Sequence, residues 1–486
     1  MTRAPDRAFL DGAVLASAIA VLLGTGCGGP LALRVDDPPS EEKEVPAESV
    51  AAAESPHRPA SSSQDGTAVV TLGAVLRLAG AENIDVKIVE SRLAAARADL
   101  ELARSQLLPR LSIGASYLRH DGRLQEIQGA VFDVSRSSLS AGPELRLQLD
   151  PGAAIAARLE AKQQVRAAEM AAARTRAETV VHSAALYLEL LRHQAVVEVA
   201  RETVEQTRAQ VELSRAMVEA EAGLRANLTR ATAALAREEL LLLEAQNDLR
   251  RASVELAIWL RLEPGILLTP ADTEVEALTL VDAEIPVAEL IATATVEHPG
   301  LGELQARRAA AEERTAAQKR APWIPNLDVF AGYGAFGGGR GSFNGDYGDR
   351  FHAGAGLSWS FDGLGFGERA RLRKARAELR EARFREQGFA ERIAGEVTWN
   401  YEDVQSLRAS IDAARTRQQA ATETRELVEA RFGAGDAIQL EVLEAAREAS
   451  AARAAVITAI TDYNRTQHLL HYQVFGSAWS EAPAAR

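Results

Sequence analysis

The 486-residue chain has one cysteine, Cys27, so it can form no intrachain disulfide and no thiolate metal cluster. It has no excess of basic residues: the net charge of −13 removes the electrostatic footprint that nucleic acid requires. Aromatics are only 5% of residues and the eight histidines are scattered, so no nucleophile–base–orienter set can be read. Between residues 153 and 222 there is neither proline nor glycine, which leaves nothing to break a helix of about 100 Å at ~1.5 Å per residue. What remains is rich in Ala, Leu, Glu and Arg, with 25% of residues charged. That is the composition of long, partnered helices more than of a compact enzyme. The acidity suits a soluble exterior and is compatible with a lumen that tolerates cations.

The ends of the chain carry their own signals. Arg3 and Arg7 precede an apolar run from Gly12 to Gly24, too short to span a membrane as a mature helix, and small residues lead into Cys27. Residues 1–26 therefore read as a secretory signal. Gly26-Cys27 is similar to a bacterial lipobox, which makes Cys27 a lipid attachment site, although Gly24 stands where that pattern prefers Leu. A plain signal peptide with an incidental cysteine is the other reading. A single acyl chain would only assist anchoring. Residues 27–67, rich in Pro, Ser and Glu, read as an acylated N-terminus and a disordered tether, and residues 476–486 as a tail.

Residues 68–261 and 286–475 read as two copies of one plan, separated by a linker over 262–285 in which Pro264, Gly265 and Pro270 predict an irregular belt. Pro109-Arg110-Leu111 followed by Tyr117 matches Pro325-Asn326-Leu327 followed by Tyr333. The stretch Ala141 to Asp150 matches Ala353 to Asp362, and Tyr187 with Ala200-Arg201 matches Tyr401 with Ala414-Arg415. Within each copy two segments alternate with period two: Leu111, Ile113, Ala115, Tyr117 and Leu145, Leu147, Leu149 in the first, Leu327, Val329, Ala331, Tyr333 and Leu357, Trp359, Phe361 in the second. Such alternation predicts half-buried strands within 110–150 and 325–362, compatible with a soluble hairpin or a transmembrane barrel. The intervening residues 120–140 and 336–352 read as linkers. The second is glycine-rich, but no Lys-Ser/Thr and no helix follow it, so it is not a phosphate loop.

Helices fill the rest. Leu190, Val197, Val204, Val211 and Val218 recur every seven residues, as do Leu228, Leu235, Leu242, Leu249 and Leu256, which predicts coiled-coil packing. The reading places helices at about 72–107, 153–222, 224–260, 287–319, 368–431 and 437–470. Two short helices stacked end to end match the length of each long one.

Leu357-Ser358-Trp359-Ser360-Phe361-Asp362-Gly363 and the run from Phe432 to Ala445 resemble the TolC-like outer-membrane efflux family, over about residues 68 to 475. The resemblance implies a mainly α fold with a transmembrane β-barrel: four strands per chain, a homotrimer closing a twelve-stranded barrel, and a helical tunnel across the periplasm. It implies a periplasmic adaptor (membrane fusion protein) and an inner-membrane transporter as partners, outer-membrane lipid around the barrel, and no cofactor. By the same resemblance Glu441 and Glu444 match an acidic pair at a periplasmic gate, and Gly223, Leu224, Gly433 and Gly435 lie at adaptor-contacting tips. A solvated helix N-terminus, which favours acids anyway, is the other reading of the pair. Phe432 and Ala437 depart from a Tyr and an Arg that family members can carry. Tyr117, Tyr333, Trp359 and Phe361 are expected at the membrane interface. His468 and His471 lack a visible third ligand. The expectation is a passive exit duct of a tripartite efflux or type I secretion system, not an enzyme. A lipid-tethered coiled-coil scaffold without a pore is the alternative from another class.

Overall fold

The computed structural model describes residues 67–477, except 222, 264, 273, 341–345 and 435. The signal, Cys27, the tether to residue 66, Gly435 and the tail from 478 lie outside the described residues. The described chain falls in one compact unit.

The helices of the two copies are built to nearly the same lengths. The first runs α1 (Leu72–Glu82), α2 (Ile84–Ser105), β2 (Arg110–Gln125), β3 (Val131–Leu149), α3 (Pro151–Glu219) and α4 (Arg225–Trp259), preceded by the short strand β1 (Thr67–Val70). After β4 (Leu267–Pro270), the second runs α5 (Val287–Glu297), α6 (Pro299–Arg320), β5 (Asn326–Arg340), β6 (Asp346–Ser358), α7 (Phe366–Ala434) and α8 (Gln439–Phe475). The long helices α3 and α7 have 69 residues each. The paired short helices α1 and α2, like α5 and α6, have 11 and 22 residues. Because α4 and α8 have 35 and 37, each pair of short helices plus a tip helix nearly equals one long helix.

The helix read at 72–107 is two helices, and so is the one at 287–319. At each break an extended residue ends one helix and caps the next. Asn83 (φ −64°, ψ 137°) accepts from the Asp85 amide through Oδ1 at 2.8 Å, and His298 (φ −68°, ψ 119°) accepts from the Gly300 amide through Nδ1 at 3.1 Å. An N-cap side chain satisfies a helix donor that has no intrahelical partner. Pro299 marks the second break in sequence, since proline disfavours helical backbone in the residue before it. The first break carries only the weaker signal of Asn83.

Packing follows the heptads. Leu190, Val197, Val204 and Val211 are buried in α3, and Leu256 in α4. Glu198–Arg201, Glu205–Arg208 and Glu212–Arg215 ion pairs, at 2.9, 2.6 and 3.0 Å, repeat at the same interval on the solvated side. The copies join where α3 packs on α6 and α8. Thr203 and Ser450 share a hydrogen bond at 2.7 Å, Arg174 reaches buried Glu303 at 3.2 Å, and Arg453 pairs with Glu202.

The segment read as an irregular belt is ordered by side chains of the helices. Residues 67–70 and 267–270 form a parallel two-stranded sheet, β1–β4. Tyr187 donates to Asp272 at 2.5 Å and Ser253 accepts from the Leu268 amide at 2.7 Å. In the second copy the matching Tyr401 donates to the Ala283 carbonyl at 3.0 Å, and Gln467 accepts from the Leu280 and Val281 amides at 3.1 and 2.9 Å. Hydrogen bonds from distant side chains leave no local periodicity, which is why the sequence reads as irregular there.

The other four strands form one antiparallel sheet in the order β2-β3-β5-β6. Its registers repeat: Leu111 lies opposite Leu145, and their counterparts Leu327 and Leu357 lie opposite each other. The strands extend well into the segments read as linkers, because their alternation fades before their pairing does. β2 and β3 pair up to Gln125–Val131, and a tight turn closes with the Gly129 amide donating to the Glu126 carbonyl at 2.8 Å. Where β3 meets β5, a Cβ added to Gly142 would fall 2.6 Å from the Gly334 Cα, so both positions require glycine for close backbone approach.

The helix breaks also set a pH dependence. His298 is 5% exposed, among Phe389, Tyr472 and Arg174. Burial pushes its pKa down to about 4, opposed by nearby Glu178 and reinforced by Arg174. The imidazole is therefore neutral in the fold, while the unfolded chain gains a proton as pH falls below about 6.5. Stability present above 6.5 is lost as pH falls towards 4, at up to ~1.4 kcal/mol per pH unit. His298→Asn, which installs the residue used at the first break, is expected to flatten part of that decline. Thermal unfolding at pH 7.5 and 4.5 checks it, and an unchanged difference between the two would contradict the assignment to His298.

Candidate functional site

Even-numbered residues of all four long strands share one face of the sheet and odd-numbered residues the other, as the registers require. The odd face is apolar through Leu111, Ile113, Ala115 and Tyr117 on β2, then becomes charged at Arg119, Asp121 and Arg123. On β6 it runs from Leu357 through Ala355, Ala353 and Phe351 to Asp349. Leu111, Ile113, Phe351 and Leu357 are all more than 60% exposed in the single chain, an apolar surface that calls for a non-aqueous partner. Tyr117 and Tyr333 stand where this band ends, and the Tyr333 hydroxyl reaches Asp349 at 3.4 Å. Trp359 and Phe361 lie just beyond the end of β6 at Ser358, at the opposite limit of the band. Trp323, 82% exposed in a 3-10 turn before β5, joins them there and was not singled out from sequence.

The even face is polar. Ser112, Glu144, Gly332 and His352 lie side by side across the four strands. Because Gly332 has no side chain, Glu144 and His352 approach to 3.6 Å over it. Arg146 sits 3.2 Å from Glu144 and over the Phe330 ring at 5.5 Å, and Arg350 lies over Phe336 at 4.8 Å.

At the far end, the two hairpin tips correspond residue for residue. Leu224 and Ile438 are both extended N-caps without a side-chain hydrogen bond, and both are exposed. Counting from them, Asn227 matches Glu441 and Arg230 matches Glu444. Leu224 belongs to the residues expected at a tip, whereas its equivalent Ile438 emerges only from the shared N-cap position. Gly223 is forced by close approach, since a Cβ there would lie 2.8 Å from the Met217 Cβ. Gly433 sits in the last turn of α7, where an added Cβ would meet nothing.

The two glutamates are not alike. The Glu441 carboxylate meets Arg431 at 3.5 Å, and Arg431 also donates to the Asp436 carbonyl at 2.7 Å, tying α7, the turn and α8 together. Glu444 is exposed and forms no ion pair among the described residues. Met217 stands where Arg431 would be in the first hairpin, so that clamp belongs to the second tip alone. His468 and His471 come near each other on α8. Burial holds the first at about 4 and lowers the second. Among the described residues no group of three His, Cys, Asp or Glu could hold a metal ion, and no helix is long and apolar enough to cross a membrane.

The sequence matches the family model described as outer membrane efflux protein over residues 75–260 and 290–471, one match for each copy. The chain belongs to the outer membrane efflux protein family. No curated protein matches it closely in sequence. In structure it is similar to the CmeC outer membrane channel of Campylobacter jejuni, with 18% identity over 85% of this chain and 87% of that one, and a TM-score of 0.70. The outer membrane protein VceC of Vibrio cholerae gives 18% identity over 84% of this chain and 97% of that one, with a TM-score of 0.68. The open-state MtrE outer membrane channel of Neisseria gonorrhoeae gives 17%, 84% and 89%, with a TM-score of 0.65. Each likeness covers at least 84% of this outer membrane efflux protein.

Proposed function

We propose that three copies of this chain close a twelve-stranded barrel and a helical tunnel, forming the exit duct of a tripartite efflux or type I secretion system. The observation that carries the reading is the open sheet. β2 and β6 each present an unpaired edge, and lipid does not tolerate unpaired backbone groups. Two copies would give eight strands, a bore filled by side chains, whereas three leave a lumen. In the assembly the odd-numbered face meets lipid and the even-numbered face lines the bore. Tyr117 and Tyr333 then mark one interface, and Trp359, Phe361 and Trp323 the other. The eight steps from Phe351 to Trp359, at ~3.4 Å each and tilted roughly 40°, span about 21 Å, close to the ~25 Å apolar band of such barrels.

The duct is passive, and an inner-membrane transporter reached through a periplasmic adaptor supplies the energy. Gly223, Leu224, Gly433, Gly435 and the added Ile438 are the tip residues that meet the adaptor. Glu444, repeated three times, is the charge at the periplasmic gate, with Glu441 serving the turn through Arg431. Cys27 is the lipid attachment site. Conductance across planar bilayers by purified protein, resistant to carbonate extraction from membranes, is the expected result. A monomer released by carbonate without conductance would favour the pore-less scaffold instead.

A further inference from the structure

We infer that Arg350, seated on Phe336, and Arg146, seated on Phe330, make the barrel bore favour anions, although the chain as a whole is acidic. The inference rests on the reading that three copies close the barrel. Within the four long strands, the described charged residues on the even-numbered face are Arg110, Arg136, Arg146 and Arg350 against Glu144 and Asp328. That leaves two positive charges per chain on the bore, while the full sequence carries −13. The negative charge therefore lies elsewhere, and net charge is a poor guide to the pore.

The way the arginines are held matters more than their number. A carboxylate partner both orients a guanidinium and cancels its field. An aromatic ring orients it and leaves its charge in place. Arg350 lies 4.8 Å from the Phe336 ring and pairs with no carboxylate among the described residues. Glycines surround it. Gly334 is its direct partner across β5, with Gly142 and Gly114 next in the same row, so no side chain from that row covers it. Arg146 is the more compensated of the two: Glu144 approaches it at 3.2 Å, and the same carboxylate lies 3.6 Å from His352. Arg350 is thus a charge held in place by a ring and cancelled by no carboxylate, repeated three times around a low-dielectric wall where rings of charge set ion preference. The expected order of permeation is chloride over potassium, with aromatic anions such as benzoate retained longer than acetate by the exposed Phe336.

The test is the zero-current potential of purified trimer in a planar bilayer under a potassium chloride gradient. In a Glu444→Gln background, where the acidic gate no longer biases the ratio, the trimer is expected to prefer chloride, added Arg350→Gln to lower the chloride-to-potassium ratio by roughly two- to threefold, and added Arg350→Lys to retain it. Benzoate is expected to block the wild-type current more than acetate does, with the difference reduced in Arg350→Gln. Heat-modifiable trimer bands for each variant separate a change of selectivity from a failure to assemble. Conductance with the same ion ratio in that background with and without Arg350→Gln overturns the inference and leaves the duct standing. Trimers without any conductance overturn the duct, and the inference with it.

Discussion

Cysteines at Ile113 and Trp359 are expected to convert the protein into covalent trimers on mild oxidation. The reasoning starts from an asymmetry between equivalent strands. β3 runs to Leu149, three residues past its last β2 partner, because β5 continues the pairing: Leu145 opposite Ala331, Leu147 opposite Val329, Leu149 opposite Leu327. β6 stops at Ser358, where its β5 partner Asn326 begins. If the neighbouring copy's β2 continues β6 as β5 continues β3, the repeat places Leu357 opposite Ala115 of the neighbour, Trp359 opposite Ile113 and Phe361 opposite Leu111. Directly opposed residues in an antiparallel pair lie about 4.5–5.5 Å apart between Cα atoms, within disulfide reach. Ser112 points to the other face, so Trp359→Cys with Ser112→Cys should remain uncrosslinked. Denaturing electrophoresis reads the outcome: linked trimers support the register, and linked dimers that never advance to trimers would contradict it.

Neutralising the second tip should have the next largest effect, and at one glutamate rather than two. Glu441→Gln removes the Arg431 contact and loosens the turn, so its main expected consequence is a less stable tip. Glu444→Gln removes the three exposed carboxylates that would face an entering cation. The concentration of a trivalent cation that blocks current from the periplasmic side is expected to rise by roughly tenfold in Glu444→Gln, and far less in Glu441→Gln. Equal block in wild type and Glu444→Gln would remove Glu444 from the gate.

The fold was legible where local pattern and global packing agree. Heptads from Leu190 to Val211 name the buried stripe of α3, and the doubled Pro-x-Leu spacing names the starts of β2 and β5 within a residue. The misses share a cause: the determining interactions are not local. The helix breaks at Asn83 and His298 depend on one side-chain cap each. The belt is held by Tyr187, Ser253, Tyr401 and Gln467, far along the chain. The outer halves of the strands lose their apolar alternation where β2 turns to Arg119, Asp121 and Arg123, so period two could not extend them. At the candidate site, residue types pointed to Glu441 and Glu444 together, but only geometry separates the clamped from the free one. Arg350 on Phe336 joins neighbouring strands, and nothing in the linear sequence between them announces the pair.

The central claim is that one chain supplies a third of a closed barrel. Native mass spectrometry of protein extracted from outer membranes in mild detergent tests it most directly. A particle of three chains, each of at most 52.1 kDa, is the expected result. A folded particle of one or two chains, with the β2 and β6 edges still open, would contradict it.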